Sequence, residues 1–403
     1  MTINTKALTH ILFNAYDYPK PPITCTLLTE VIGQGIIIAE GNEHRCQRKV
    51  MSLAFSHSHI LQFHDIFLEK ATQLRQIWTS ECVKSSGKAQ IDTVSYLSHL
   101  MLDIIALTGF NYKTDSLNAE DTPNRVHRAI CELLQTAKEI QTIHIFSTIC
   151  PILRWIVPNE GRARIQATHE TLAHDLGRQL LAEAKMGDTN ESSVNDLFSL
   201  LARANGSPDV PIDQRMSEAD VLSSLLLAGH EMMRHVEIVD YSQHTLMNLV
   251  QKKLREELLA TSTDTPTVDE MNMLLYLDWV IRETLRVNPP VPLLAHIAGK
   301  DDMIPLRQPF KDTRGRLHDS IPIMKGELIS IPIMAINRDK SLWGDDALKV
   351  ISFVLIREFE LELVVPCEEI ISKSTVVQWL TLKTNPAHSP QIPIFVTVHH
   401  KEE

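Results

Sequence analysis

The sequence is poor in several residue types, and each shortage excludes a class of protein. Only 14 of its 403 residues are glycine and only 5% are aromatic, which favours helices over an all-β sandwich with many tight turns. Lys and Arg number 39 against 50 Asp and Glu, a formal net charge of -11. Because a nucleic-acid-binding surface needs a clustered basic excess, we expect no nucleic-acid partner.

The spacing of the cysteines excludes zinc and redox sites, and the lack of long apolar runs excludes a membrane span. None of the 6 cysteines forms a C-x-x-C pair, so we expect neither a zinc knuckle nor a thioredoxin-type site, and scattered thiols fit a reducing compartment. The N-terminus lacks the pattern of a signal peptide. His144, Pro151 and Arg154 interrupt the most apolar stretch, residues 140–157, whereas a membrane-spanning helix needs about 20 apolar residues. These observations predict a cytoplasmic chain without a membrane span.

What the chain does have is enough apolar residues for a large core. Hydrophobic residues make up 44% of it and charged residues 22%, which excludes a disordered protein. Apolar residues recur at helical spacing over most of residues 36–290. The clearest stretches are 61–78, 96–107, 126–146 and 165–184. We therefore expect a single domain over residues 1–403 that is mainly α with small β-sheets.

The pattern is sharpest around residues 265–290. Thr267 and Glu270 have the spacing of a capping box at the start of a helix. One face of the following helix is predicted to carry Leu277, Val280, Ile281, Thr284 and Leu285. The helix is predicted to end at Pro289-Pro290.

After this helix the hydrophobic period changes from 3.6 to 2, which indicates strands. We expect residues 291–335 to be rich in β-structure, with two strands in 321–331 around Lys325-Gly326. A β-hairpin is predicted for residues 375–399.

Three short motifs could carry chemistry. His230 and Glu231 begin a segment similar to the H-E-x-x-H zinc helix, but the position four residues after His230 is Arg234. The next histidine, His235, is rotated by roughly a further 100° about the helix, so no metal site is predicted there.

The other two motifs each allow two interpretations. Glu283 and Arg286 lie one helical turn apart, and such a pair is most often solvated and worth about 0.2–0.5 kcal/mol. His44 and Arg48 also lie one turn apart, within a basic cluster. They form either an exposed polar surface or two convergent donors for a carboxylate.

Taken together and in this order, the segments resemble those of the cytochrome P450 family, in particular its fungal heme-thiolate monooxygenases. Residues 40–49 resemble the heme-flanking helix, and residues 226–231 resemble the start of the oxygen-activation helix. Residues 251–257 resemble the helix that follows, and residues 282–292 resemble the E-x-x-R helix with its proline-rich exit. The β-region of the family and its exit are similar to residues 302–306, 326–335 and 337–345.

The resemblance implies the cytochrome P450 fold and a function. The family oxidises small organic substrates, such as secondary metabolites, with heme, molecular oxygen and an NADPH-dependent reductase, and its anchored members lie at the endoplasmic reticulum membrane. His44 and Arg48 would bind the heme propionates, and His296 would be a third donor where the family usually has arginine. Glu283 and Arg286 would be the buried pair behind the heme.

In the oxygen-activation helix, Gly229 and Glu231 would lie against the oxygen-binding side of the heme. Met232 stands where the family usually has threonine, and a thioether donates no hydrogen bond. The membrane anchor and proline hinge of the family also have no counterpart, so the chain is expected to begin partway into the fold.

The largest departure is the missing heme-ligand loop. Family members carry the segment F-x-x-G-x-R-x-C-x-G, whose cysteine thiolate binds the iron, and the sequence contains no such segment. After residues 343–347 it continues with 348–363, which resembles the end of the helix beyond that loop, so residues 340–356 are predicted to be disrupted.

Neither Cys46 nor Cys367 is expected to replace the lost ligand. Cys46 belongs to the heme-flanking helix, and Cys367 precedes two glutamates that disfavour a thiolate. We therefore predict a catalytically inactive family member whose heme binding is in question. The alternative is an active monooxygenase in a full-length or differently spliced form.

Overall fold

The structure is a computed structural model that describes residues 3–32, 35–118, 196–205, 215, 248–261, 263–343, 359–366, 369–374, 378–384 and 392–398. Its helices are α1 (Thr5–Phe13), α2 (Pro22–Ile32), α3 (Gly41–Ala54), α4 (His57–Leu61), α5 (His64–Lys84), α6 (Thr93–Phe110), α7 (Leu197–Asn205), α8 (Asn248–Ala260), α9 (Val268–Asn272), α10 (Leu275–Val287), α11 (Ile333–Asn337) and α12 (Lys340–Trp343). Its strands are β1 (Lys88–Asp92), β2 (Leu294–Ile297), β3 (Asp302–Lys311), β4 (Leu317–Ile323), β5 (Leu328–Ile331), β6 (Phe359–Leu363), β7 (Ile370–Ser374), β8 (Gln378–Leu382) and β9 (Pro393–Val398).

The main core lies between helices and one small sheet. Strands β1, β9 and β6 form a three-stranded antiparallel sheet with β9 in the middle. Its buried side packs with α5, α6, α8 and α10 in one cluster that includes Trp78, Leu97, Leu254, Leu277 and Ile394. The expectation of a mainly helical fold with small sheets is confirmed, and the core joins segments that are up to about 300 residues apart.

Strand β1 lies inside a span that was expected to be mostly helical. Helix α5 ends at a turn in which Gly87 has φ +100° and its N–H donates to the Cys82 carbonyl at 2.7 Å. Glycine tolerates this left-handed backbone, and the chain leaves the turn extended. The residues of β1 then pair with β9 instead of starting α6 early.

The predicted strands are present, but one pairing is wrong. Strands β4 and β5 flank Lys325-Gly326, and Gly326 has φ +91°. The predicted hairpin of residues 375–399 does not form, because β8 pairs with β7 whereas β9 pairs with both β1 and β6. Alternating apolar residues locate a strand but do not identify its partner.

The predicted capping box is confirmed, although it begins the short helix α9. The Thr267 hydroxyl accepts from the Glu270 N–H, and the Glu270 carboxylate accepts from the Thr267 N–H at 2.7 Å. The following helix, α10, is capped from α8, where the Glu257 carboxylate accepts the N–H groups of Tyr276 and Leu277 at 2.9 Å each.

The buried side of α10 differs in part from the prediction. Leu277, Val280 and Thr284 are buried, as expected, and Val287 joins them. The predicted positions Ile281 and Leu285 are exposed instead. The buried stripe is therefore narrower than the hydrophobic pattern indicated.

One helix among the described residues has the length and composition of a membrane span, and several predicted segments lie outside these residues. Among them, only α6 is long and apolar enough to cross a membrane, and 72% of it is buried inside the fold, as is usual for a core helix. The predicted helices at 126–146 and 165–184, the segment 230–235 and residues 344–356 lie outside the described residues.

Candidate functional site

Helix α3 places the two predicted propionate donors on its surface. His44 is half-buried and Arg48 is exposed one turn further along. Burial lowers the pKa of His44; the positive charge of Lys20 acts in the same direction, the Glu40 carboxylate opposes it, and Arg48 lowers it again. The imidazole is therefore neutral near pH 7, and Arg48 supplies the permanent charge.

The segment Asp17–Lys20, between α1 and α2, forms hydrogen bonds to the start of α3 and to β2. The third predicted donor lies on β2. Lys20 binds the Glu40 carboxylate with its backbone N–H and its ammonium group, each at 3.0 Å, and its ammonium also donates to the Ala39 carbonyl at 3.1 Å. On the other side, the Ile297 N–H donates to the Pro19 carbonyl at 2.9 Å. The start of α3 and strand β2 are thus held by the same short segment.

His296 on β2 is oriented by a backbone carbonyl. Its Nδ1 lies 2.8 Å from the Tyr18 carbonyl oxygen, and because a carbonyl can only accept, Nδ1 carries the hydrogen. In the neutral imidazole, Nε2 is then an acceptor. His296 can therefore donate from Nε2 to a carboxylate only when it is protonated, which restricts the role expected of it as a replacement for arginine.

The two donors on α3 are available for a ligand. Within the described parts of the chain, the side chains of His44 and Arg48 form no hydrogen bond or ion pair with protein groups. A guanidinium and an imidazole on one side of a helix suit a pair of carboxylates. This part of the site fits the propionate groups of heme.

The cysteines of the described residues do not fit the other half of a heme site. Cys82 is fully buried in the core, and its thiol donates to the Val396 carbonyl at 3.2 Å. Burial raises the pKa of Cys82 and also that of Cys25. Cys46 is two residues from His44, a rotation of roughly 200° about α3, so it points away from the donors.

No described group of three or more His, Cys, Asp or Glu side chains could hold a metal ion. Cys367 lies outside the described residues. How the heme iron would be ligated therefore stays a prediction from the sequence.

The pair Glu283 and Arg286 is mostly shielded from water. Arg286 binds the Glu283 carboxylate through two hydrogen bonds, from Nε at 2.7 Å and from Nη2 at 2.6 Å. Their side chains are only 21% and 9% exposed, respectively. Arg286 also donates to the Asn337 carbonyl at the end of α11. Of the two interpretations of this pair, the geometry supports the buried one.

Arg338, for which the sequence predicts no role, completes the connection between α10 and α11. Its guanidinium donates to the Val287 carbonyl at 2.9 Å and to the Asn288 side-chain oxygen at 3.0 Å. Burial lowers the pKa of Arg338, and the nearby Arg286 lowers it further. Arg286 of α10 thus donates to the last residue of α11, and Arg338, which follows α11, donates to the last residue of α10. The segment 337–345 carried the family resemblance, but no local pattern marks this contact.

The predicted residues of the oxygen-activation helix lie outside the described residues. Gly229, Glu231 and Met232 therefore stay predictions, as does their position relative to α3 and β2.

Comparison with known proteins identifies the family. The family model described as cytochrome P450 matches residues 1–350. The chain belongs to the cytochrome P450 family. This P450 is 35% identical to cytochrome P450 monooxygenases 205 and 128 of Postia placenta, over 99% of its own length and 84% and 83% of theirs. It is 31% identical to cytochrome P450 monooxygenase claQ of Ampulloclitocybe clavipes, over 86% of its length and 66% of that relative.

The fold comparison agrees. A crystal structure of a cytochrome P450, CYP102L1, superposes with a TM-score of 0.70 at 17% identity, covering 98% of this chain and 88% of the other. The predicted resemblance to fungal P450s and the predicted fold are confirmed. Family and fold imply heme as the cofactor, with a small substrate and a redox partner as is typical of the family.

Proposed function

We propose that this chain is a cytochrome P450-family protein without monooxygenase activity of its own. The observation that carries the proposal is that none of the six cysteines lies in a segment of the form F-x-x-G-x-R-x-C-x-G. In heme-thiolate enzymes the cysteine thiolate pushes electron density towards the iron and favours cleavage of the O–O bond. A chain without that ligand lacks the group on which the oxidation depends.

The extent of the similarity supports a missing internal block. The alignment with monooxygenase 205 spans 460 positions although the chain has 403 residues, so at least 57 positions of that relative face gaps. The family model stops matching at residue 350, within the stretch 340–356 in which the sequence predicts the disruption.

The chain's own residues support binding more than catalysis. His44 and Arg48 would bind the propionates, and Glu283 with Arg286 would hold α10 against α11. At the oxygen-binding side, Met232 replaces the hydroxyl that would organise proton delivery. The proposal therefore combines a retained anion-binding surface with the loss of two groups required for the reaction.

A heme titration followed by a carbon monoxide difference spectrum tests this proposal. We expect the purified, reduced chain to show no thiolate-type band. If heme binds through its propionates, Arg48→Ala should weaken binding by about ten- to a hundredfold, since a hydrogen bond to a charged group contributes about 1.5–3 kcal/mol. Arg45→Ala is the matched control, because Arg45 lies on the same helix over the Tyr16 ring at 5.9 Å. A thiolate-type band from this chain contradicts the proposal.

A second function, monooxygenation by a form that contains the missing block, is favoured by one observation. Similarity to two proteins named monooxygenases extends over 99% of the chain, on both sides of the predicted break. Such a form would oxidise a small organic substrate with electrons from an NADPH-dependent reductase. Transcript sequencing across codons 340–355 tests it, since a message that encodes the cysteine loop would support this function and its absence from all messages would contradict it.

A further inference from the structure

One side of α10 carries large apolar side chains that face water. Trp279 and Leu275 are 63% and 60% exposed, and Ile281 and Leu285 are also exposed. The opposite side of the same helix packs into the main core through Val280 and its neighbours. An exposed apolar patch with polar residues beside it is typical of an interaction site. We call the side of α10 that bears these four apolar residues the open side.

Two charged residues lie among the apolar side chains of the open side. Asp278 and Arg282 form an ion pair at 2.8 Å along the helix, and their side chains are 48% and 76% exposed. Because an exposed pair of this kind contributes little to stability, each member can exchange its partner for an equivalent group on another molecule at little cost. The open side therefore offers an apolar patch with one negative and one positive group.

The six exposed residues are arranged symmetrically about position 280. At equal distances before and after it stand two apolar pairs and one pair of opposite charge: Leu275 and Leu285, Trp279 and Ile281, and Asp278 and Arg282. At roughly 100° per residue, the directions of the two members of every pair average to one direction, which is opposite to that of Val280. Since Val280 is buried, this common direction points to solvent.

A second copy of the chain fits this arrangement. If two α10 helices pack antiparallel around a two-fold axis at position 280, each residue before this position lies opposite its counterpart after it in the other copy. Leu275 then meets Leu285 of the other copy, and Trp279 lies close to the axis. Asp278 of each copy meets Arg282 of the other, so two ion pairs form between the copies. Such an isologous contact is the usual geometry of a homodimer.

The symmetry of the charges favours a second copy over an unrelated partner. An unrelated protein that docks on the apolar patch does not require opposite charges at equal distances from one centre. A two-fold axis does require it, because identical charges at positions 278 and 282 would repel each other across the interface.

We propose that the chain forms a two-fold symmetric homodimer through the open side of α10, with Asp278 and Arg282 paired between the two copies. Six side chains per copy are fewer than the roughly 20–30 residues on each side of a standard interface. The dimer should therefore be weak and dissociate at concentrations on the order of micromolar. The proposal rests on α10 alone, so it holds or fails independently of heme binding and of the proposed loss of activity.

Sedimentation equilibrium of the full chain over about 1–100 µM tests the proposal. We expect the mean mass to rise with concentration from that of one chain towards that of two. Trp279→Glu should abolish the rise, because it places a charge among apolar side chains and close to the same charge of the other copy. Phe13→Glu on α1 is the matched control, since Phe13 is another large aromatic residue that is mostly exposed, and it should leave the rise unchanged.

The two charged residues allow a test that depends on the second copy. Asp278→Arg and Arg282→Asp should each weaken self-association by on the order of tenfold or more, because like charges then face each other. Mixed in equal amounts, the two variants should associate about as well as the original chain, since one copy presents two positive charges and the other two negative charges. Recovery on mixing cannot come from a change in the fold of either variant.

Four outcomes overturn the proposal. The first is an original chain that stays monomeric at about 100 µM, and the second is an equal loss of association in Trp279→Glu and Phe13→Glu. The third is an original chain that associates while the mixed charge variants do not. The fourth is a monomer in which Trp279 is shielded from acrylamide, measured against Trp279→Phe, since another segment of the same chain would then cover the open side. Thermal unfolding of each variant checks that the fold is kept.

Discussion

Asp302, at the start of β3, joins two side chains that lie near the beginning of the chain. One of its carboxylate oxygens accepts from the Tyr18 hydroxyl at 2.6 Å and lies 2.9 Å from the Nε2 of His10. The hydrogen bonds from Tyr18 and His10 lower the pKa of Asp302 to about 2. Burial raises the pKa of Tyr18, and Asp302 raises it further. A single carboxylate thus fixes α1 and the following turn on the β3–β4 sheet.

This contact predicts a pH-dependent loss of stability. Since the folded-state pKa of Asp302 lies below its unfolded value of about 3.9, the stabilisation is complete above about pH 4 and is lost as the pH falls towards 2. Asp302→Asn should lower the free energy of unfolding by about 1–2 kcal/mol at pH 7, and the difference from the original chain should vanish near pH 2. Urea denaturation at several pH values measures it.

Asp319→Asn serves as the control, because Asp319 is exposed on β4 and accepts only from the adjacent Ser320 hydroxyl among the described residues. Equal effects of the two substitutions would contradict the assignment of the pH dependence to Asp302.

Local sequence predicted the positions of several candidate site residues on their elements but not their chemical state. The spacing of His44 and Arg48 correctly placed them one turn apart on a helix. The sequence could not show that His296 donates from Nδ1, because the tautomer is set by the Tyr18 carbonyl, 278 residues away. Long-range contacts of this kind decide whether a histidine is a donor or an acceptor.

At the scale of an element, α10 carries two ion pairs that differ in their contribution to the free energy of unfolding. Glu283 and Arg286 form a two-point contact that is mostly shielded from water, whereas Asp278 and Arg282 form an exposed pair at 2.8 Å. Exposed pairs of this kind contribute little, because water and salt screen the charges. A shielded pair costs more to break, because a charge is left without its partner.

Replacing each arginine by lysine separates the two cases. Lysine keeps the charge but cannot form the two-point contact or reach the Asn337 carbonyl at the same time. Arg286→Lys should therefore lower the free energy of unfolding by about 2–3 kcal/mol, whereas Arg282→Lys should leave it almost unchanged. Guanidinium denaturation of both variants measures the difference. Similar losses would show that the Glu283–Arg286 pair gains nothing from its shielding.

Helix α10 also shows what a hydrophobic pattern can predict. The pattern and the prolines correctly predicted a helix that ends before Pro289. It overestimated the buried stripe, because Ile281 and Leu285 are apolar yet exposed. Periodicity reports which side chains could be buried, whereas the packing of neighbouring elements decides which are.

At the scale of the whole molecule, β9 organises the core. It is hydrogen-bonded to β1 on one edge and to β6 on the other, and Ile394 and Val396 are completely buried between the sheet and the helices. The sequence predicted a strand at this place but paired it with its nearest neighbour. Partners some 300 residues apart cannot be read from local alternation, because the pairing depends on the arrangement of all the elements between them.

The central position of β9 predicts a large cost for removing one of its side chains. Ile394→Ala should lower the free energy of unfolding by about 2–5 kcal/mol, because it leaves a cavity that close packing cannot fill. Thr397→Ala, at a half-exposed position of the same strand, should cost less than about 1 kcal/mol. Thermal or urea unfolding distinguishes the two. A small effect at Ile394 would mean that the core tolerates the cavity by local collapse.

The late position of β9 in the sequence delays closure of the core during translation. Helices α5 and α6 leave the ribosome early, but the part of their apolar surface that packs on β9 stays uncovered until residues 393–398 have been translated. At about 5–20 residues per second, roughly 15 to 60 s pass between the translation of α5 and that of β9 before this part of the core can close. During that interval, the exposed apolar surface of the unfinished chain is a binding site for chaperones.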